Sequence, residues 1–241
     1  MTSDPWARLV SLEGVPSAFA AVRDGIDAVL RDRGLRRTSP ETTAESLLRG
    51  AHASAVLEGS SSSLAEVREG AGDEVAREAV RLSTELLGIG PVLTRSPLQA
   101  FARMHAVAAA GLPADQRGRP RGADAALALR GVADLVTTTS TAPALLVAAV
   151  VHAELVAAAP FASHNGIVAR AAERLVLVAR GVDPTSLVVP EAGHLALRAA
   201  YESNLRAWSS GTETGRQAWL LYAAEAYAAG VEASPLRRAA S

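Results

Sequence analysis

The sequence predicts an all-α protein, a compact helical domain with additional helices at its C-terminal end. Three observations lead there. Apolar residues recur at helical spacing through nearly the whole chain. Ala and Leu, both strong helix formers, fill most apolar positions. Few segments alternate with period two, and β-branched residues seldom cluster.

Helices are expected at about residues 16–33, 42–58, 63–69, 74–93, 97–110, 122–138, 143–158, 165–180, 191–209 and 214–231. Thr42 or Thr43 is placed to cap the second of these, with Glu45 in its first turn. Gly59 and the serines after it stop that helix. Pro97 suits a first helical turn. Gly111 to Gly122, GLPADQRGRPRG, reads as a loop from its Gly, Pro and charge content. Gly181 and Pro184 end the helix that begins near Asn165. The tail from Ser234 to Ser241 is expected to fray.

Composition excludes several classes of function. The chain has 241 residues, with 24 basic against 25 acidic groups. Such a balance favours neither nucleic acid nor an anionic membrane as partner. All the basic residues are Arg, a bias that accompanies heavy use of Ala, Gly and Pro and so carries no functional signal. The absence of Cys removes disulfides, zinc thiolates and thiol nucleophiles. The absence of Lys removes a phosphate-binding GxxxxGK[ST] loop. No GxSxG elbow occurs. Gly88 and Gly90 lack the strand context of a dinucleotide fold. The apolar run Pro143 to Ala159 is short for a membrane span and contains His152 and Glu154, so a buried core helix is expected. The N-terminus has no secretory pattern, and the cytoplasm is the expected location.

The chemistry-bearing residues concentrate in Ala159-Pro160-Phe161-Ala162-Ser163-His164-Asn165-Gly166-Ile167-Val168-Ala169-Arg170, a polar loop between two apolar helices. The free N–H groups at the start of the second helix make that loop a receptor for anions. Asn165-Gly166 allows a ligand close to the backbone. A second segment, Ser54-Ala55-Val56-Leu57-Glu58-Gly59, ends the helix expected at 42–58.

The loop resembles the motif of the Fic (Fido) family, His-Pro-Phe-x-Asp/Glu-Gly-Asn-Gly-Arg-x-x-Arg. Pro160, Phe161, Asn165, Gly166 and Arg170 match at the family's spacing. Four positions depart from it. Ala159 stands where the family has its catalytic histidine, the general base, and a methyl group accepts no proton. Ser163 replaces the acid that holds magnesium, His164 replaces the following glycine, and Ile167 replaces the first arginine. The segment ending in Glu58-Gly59 resembles the family's inhibitory motif, in which the glutamate pairs with the second motif arginine and blocks the nucleotide γ-phosphate. That resemblance implies a Glu58–Arg170 pair. His152, and Leu98 to Ala110 with His105 ahead of Gly118, Arg119 and Arg121, agree more softly with family features.

The resemblance divides the chain into an N-terminal helical segment at 1–44, a Fic/Fido-like domain at 45–185 and a helical extension at 186–241. It implies a degenerate Fic protein without adenylyl transferase activity, acting as a regulatory or interaction module. The nucleotide-binding residues it implies are Asn165, Gly166 and Arg170. ATP is the implied nucleotide, and Ser163 weighs against Mg2+. The alternative is transfer of AMP or another phosphate-linked group onto protein hydroxyls, with His164 as a non-standard base. Partners are then another protein or a second copy of the chain. Trp208, Trp219, Tyr201, Tyr222 and Tyr227 read as core or as an exposed partner face on the C-terminal helices. No two of the five histidines have the i, i+4 spacing of a helical metal site, so none is expected.

Overall fold

The computed structural model describes residues 6–31 and 39–237. Twelve helices, and no strand, occur among the described residues. The first three are α1 (Ala7–Val10), α2 (Val15–Val29) and α3 (Pro40–Leu57). Then come α4 (Leu64–Arg68), α5 (Glu74–Arg95), α6 (Pro97–Ala108) and α7 (Ala123–Thr137). The last five are α8 (Ala144–Ala158), α9 (Asn165–Ala179), α10 (Pro190–Ala196), α11 (Arg198–Ser209) and α12 (Glu213–Glu232).

The all-α expectation holds, and helix starts follow local chemistry. Asp73 caps α5 by accepting from Ala76 N–H, and Ser63 with Glu66 closes a capping box on α4. The cap of α3 differs from expectation. Ser39, rather than Thr42 or Thr43, accepts the first-turn N–H, from Thr42 at 3.3 Å. Pro40 at the first helical position moves the start of α3 upstream, because it needs no partner for the N–H it lacks. The short α1 was not anticipated. The last residues of the expected 16–33 helix, and those of the tail from 238 on, lie outside the described residues.

At the centre, α8 packs along α9. From Leu145 to Ala153 every residue of α8 is buried, and so is every residue of α9 from Ile167 to Leu177. The apolar run at 143–159 is therefore a core helix, and among the described residues no helix is long and apolar enough to cross a membrane. Around this pair lie α5 and α6 on one side and α10, α11 and α12 on the other. One hydrophobic core runs continuously from Trp6 to Val231.

The single helix expected at 191–209 is two helices, separated at Leu197 (φ −110°, ψ 33°). The cause is close packing at both ends of α12. A Cβ on Gly193 of α10 would overlap the Ala226 carbonyl, and one on Gly215 of α12 would overlap that of Ala207 in α11. One straight rod is replaced by two helices that meet α12 at these two separate places. The C-terminal aromatics are not a partner face. Tyr201, Trp208, Trp219, Tyr222 and Tyr227 are each at most 5% exposed and belong to the chain's own core.

Candidate functional site

The loop from Ala159 to His164 joins α8 to α9 and is closed by one side chain. Asn165 Oδ1 accepts from Phe161 N–H at 2.9 Å, and Asn165 Nδ2 donates to Phe161 O at 2.9 Å. Both ends of the loop adopt the left-handed region, Ala159 at φ 39° and His164 at φ 58°. Non-glycine residues there store local strain that surrounding contacts must hold. Those contacts are present. Pro160 O accepts from Arg121 N–H at 2.9 Å, and Phe161 stacks on His105 at 4.2 Å and 6°. His105 Nδ1 accepts from Gly118 N–H at 2.9 Å, which ties the 111–122 loop to the same place. Burial, with His164 nearby, holds the His105 imidazole down at about 4, so the ring is neutral.

Glu58, the C-cap of α3, lies directly against the start of α9. Arg170 Nη2 donates to Glu58 Oε1 at 2.7 Å. A Cβ at position 166 would overlap that same carboxylate oxygen, so only glycine lets Glu58 sit there. The first-turn N–H groups of α9 have no partner within the helix, so the carboxylate occupies ground suited to an anion. Arg170 is 1% exposed. Its Nε donates to Ser54 Oγ at 2.9 Å and its Nη2 to Ser54 O at 3.2 Å. The two segments singled out in the sequence thus meet through three residues, Ser54, Glu58 and Arg170.

The positions that depart from the family motif make contacts of their own. Ile167 is 4% exposed and joins the apolar core. Ser163 Oγ lies 2.6 Å from His164 Nδ1, and His164 Nε2 lies 3.0 Å from Glu78 Oε2. Both imidazole nitrogens of His164 are therefore engaged. Ser163 offers only a hydroxyl already bonded to His164, and the nearby Glu78 carboxylate is engaged by the same ring. A serine hydroxyl is a poor substitute for the carboxylate that Mg2+, a hard cation, takes beside phosphate.

Behind Arg170 lies a polar cluster that sequence spacing did not reveal. Tyr201 hydroxyl accepts from Arg170 Nη1 at 3.0 Å and sits 3.0 Å from His152 Nε2. His152 Nδ1 lies 2.9 Å from Glu173 Oε2, and His194 Nε2 lies 2.9 Å from the same oxygen. Tyr227 hydroxyl donates to Glu173 Oε1 at 2.8 Å, and Tyr222 hydroxyl lies 2.8 Å from His194 Nδ1. His152, Glu173 and His194 are fully buried. Burial pushes the Glu173 carboxyl up, but the two imidazoles on Oε2 outweigh it and hold the group ionised, below the ordinary carboxylate range. Burial holds His152 below its ordinary range, so it is neutral.

His152, Glu173 and His194 bring one ligand atom each within 4.8 Å of one another, a grouping that could hold a metal. The same atoms also join in a hydrogen-bonded cluster. Arg170 only donates, so the Tyr201 hydroxyl accepts from it and is free to pass its own proton to His152 Nε2. In that arrangement the proton of neutral His152 lies on Nδ1, facing Glu173. Five helices build the cluster, α8, α9, α10, α11 and α12, in a part of the fold that the loop motif alone does not describe. A second buried pair, Arg174 with Glu191 at 2.6 Å, locks α9 to α10 alongside it.

No family model and no curated protein matches the chain. Solved structures do match. A Fic family protein from Desulfovibrio desulfuricans G20 superposes at TM-score 0.71 with 17% identity, covering 97% of this chain and 75% of that one. Two structures of Fic-1 from C. elegans superpose at TM-scores 0.69 and 0.68, each with 18% identity. They cover 90% and 91% of this chain and 71% of the other. At such identity the likeness speaks to the path of the backbone, and on that ground this chain has the Fic, or Fido, fold.

Proposed function

We propose that the start of α9 is a nucleotide-phosphate pocket held shut by Glu58, in a protein that no longer transfers adenylyl groups. The carrying observation is the position of the Glu58 carboxylate. It is bonded to Arg170 at 2.7 Å and seated against Gly166, where a terminal phosphate would meet the same guanidinium and the same free N–H groups. Ala159 supplies no base, and the loop supplies no acid for a metal. The ligand is therefore ATP or a related nucleotide without a resident Mg2+ site. The role is regulatory, with a protein partner or a second copy of the chain reading the state of the pocket.

Calorimetric titration with ATP tests this reading. Glu58→Gly is expected to bind, and the wild type to bind far more weakly. Neither protein should transfer label from labelled ATP to itself or to lysate proteins. Absence of binding to both, or robust transfer by the wild type, overturns it.

A second reading keeps catalysis, with His164 as base. One observation favours it: His164 Nδ1 lies 2.6 Å from the Ser163 hydroxyl, with Glu78 behind the ring at 3.0 Å. With both nitrogens engaged, the hydroxyl that His164 can activate is that of Ser163 itself. This reading predicts self-modification at Ser163, abolished by His164→Ala, and an unlabelled wild type eliminates it.

A further inference from the structure

Arg170 is a full positive charge inside the protein, and the contacts that orient it divide into two sets. Ser54 takes Nε and one Nη2 hydrogen through its hydroxyl and its carbonyl. Both lie along one edge of the guanidinium, so alone they leave its far corner unfixed. Tyr201 takes that corner, accepting from Nη1 at 3.0 Å. A tyrosine hydroxyl ordinarily rotates, but here it is tied to His152 Nε2, 3.0 Å away. His152 is in turn held by its Nδ1–H on Glu173 Oε2 at 2.9 Å. Arg170, Tyr201, His152 and Glu173 thus form one unbroken chain of contacts.

With these contacts made, one hydrogen on Nη2 faces Glu58, and Nη1 lies beside Gly166. That edge is a fork suited to two oxygens of one phosphoryl group. We propose that Tyr201, backed by His152 and Glu173, is a positioning residue that keeps this fork aimed at the start of α9 whether or not Glu58 is there. The proposal rests on the phosphate-pocket reading and adds to it a residue outside both motifs, Tyr201. It also gives the C-terminal helix α11 a role in the site, although α11 contributes nothing to the loop.

Two measurements test it. In the Glu58→Gly protein, adding Tyr201→Phe is expected to weaken ATP binding about tenfold, the loss of one hydrogen bond to a charged group. Binding of adenosine, which lacks phosphate, should not respond to the same change. The second measurement needs no nucleotide. Nitrogen-15 NMR of the Arg170 side chain in the unaltered protein should show separate Nη1 and Nη2 signals, because rotation of the guanidinium is blocked. Tyr201→Phe should merge them, and His152→Asn, which shortens the reach to Tyr201, should do the same. If Glu58→Gly fails to bind ATP, the pocket reading falls while the spectra still decide whether Tyr201 positions Arg170. Spectra unchanged in both variants, or an unchanged affinity in Tyr201→Phe, would overturn the proposal.

Discussion

Replacing Glu173 by Gln asks whether the buried carboxylate is ionised. The two side chains have the same shape, and Gln imitates a protonated carboxyl. In the native protein Oε2 receives His152 and His194, and Oε1 receives Tyr227. A Gln carbonyl can still receive both imidazoles, but as ordinary rather than charge-assisted bonds. Its amide then faces the Tyr227 hydroxyl, which must turn toward Leu145 O, 3.3 Å away. One amide hydrogen is left without an acceptor. Weakening two charged bonds and stranding one buried donor gives an expected loss of about 3–5 kcal/mol in unfolding free energy. For a chain of this length that is a fall in Tm of about 6–20 °C.

Denaturant titration at pH 7 and calorimetry measure this directly, and pH supplies the control. A carboxyl held below its unfolded value lets the unfolded state bind more protons as pH falls. The wild-type advantage over Glu173→Gln should therefore be complete above the ordinary value of 4.5 and shrink as pH falls below it. A loss under about 1 kcal/mol at pH 7 would mean that the native carboxyl is already protonated, and the proton order traced from Arg170 would be wrong.

Three further outcomes follow from named contacts. Gly166→Ala should drive the Glu58 carboxylate away from Arg170, and a crystal structure should show the 2.7 Å contact broken. Helix propensity returns part of the loss, leaving a net destabilisation of about 1–2 kcal/mol by denaturant titration. Gly193→Ala places a methyl on the Ala226 backbone carbonyl, where no rotamer change relieves it, so a loss of about 3 kcal/mol is expected in the same assay. His105, depressed from 6.5 to about 4, binds its proton in the unfolded state first. Stability should therefore fall as pH drops from 6.5 toward 4, and His105→Gln should flatten that part of the curve.

The helices were legible because their cause is local. The apolar spacing that announces α8 and α9 needs no partner to be read, and caps such as Asp73 act within one turn. Where a local rule meets a competing one, the local rule yields. Pro40 moved the start of α3 upstream of the expected threonine caps. Packing against α12 broke the helix expected at 191–209, and the same packing took Trp219 and Tyr227 into the core rather than leaving them to a partner.

The sequence by itself determined the helical class and the loop of Asn165, Gly166 and Arg170. The Glu58–Arg170 contact was legible only as what the resemblance of two short motifs to the Fic family implies. Only the tertiary structure decided what stands behind Arg170. Tyr201, His152, Glu173 and His194 come from four helices, and each bond joins residues 21 to 49 positions apart. No periodicity or motif marks such a set. A neutral histidine, an ionised glutamate and a tyrosine become one chain of hydrogen bonds only when water is excluded and each group must find its partner in the protein.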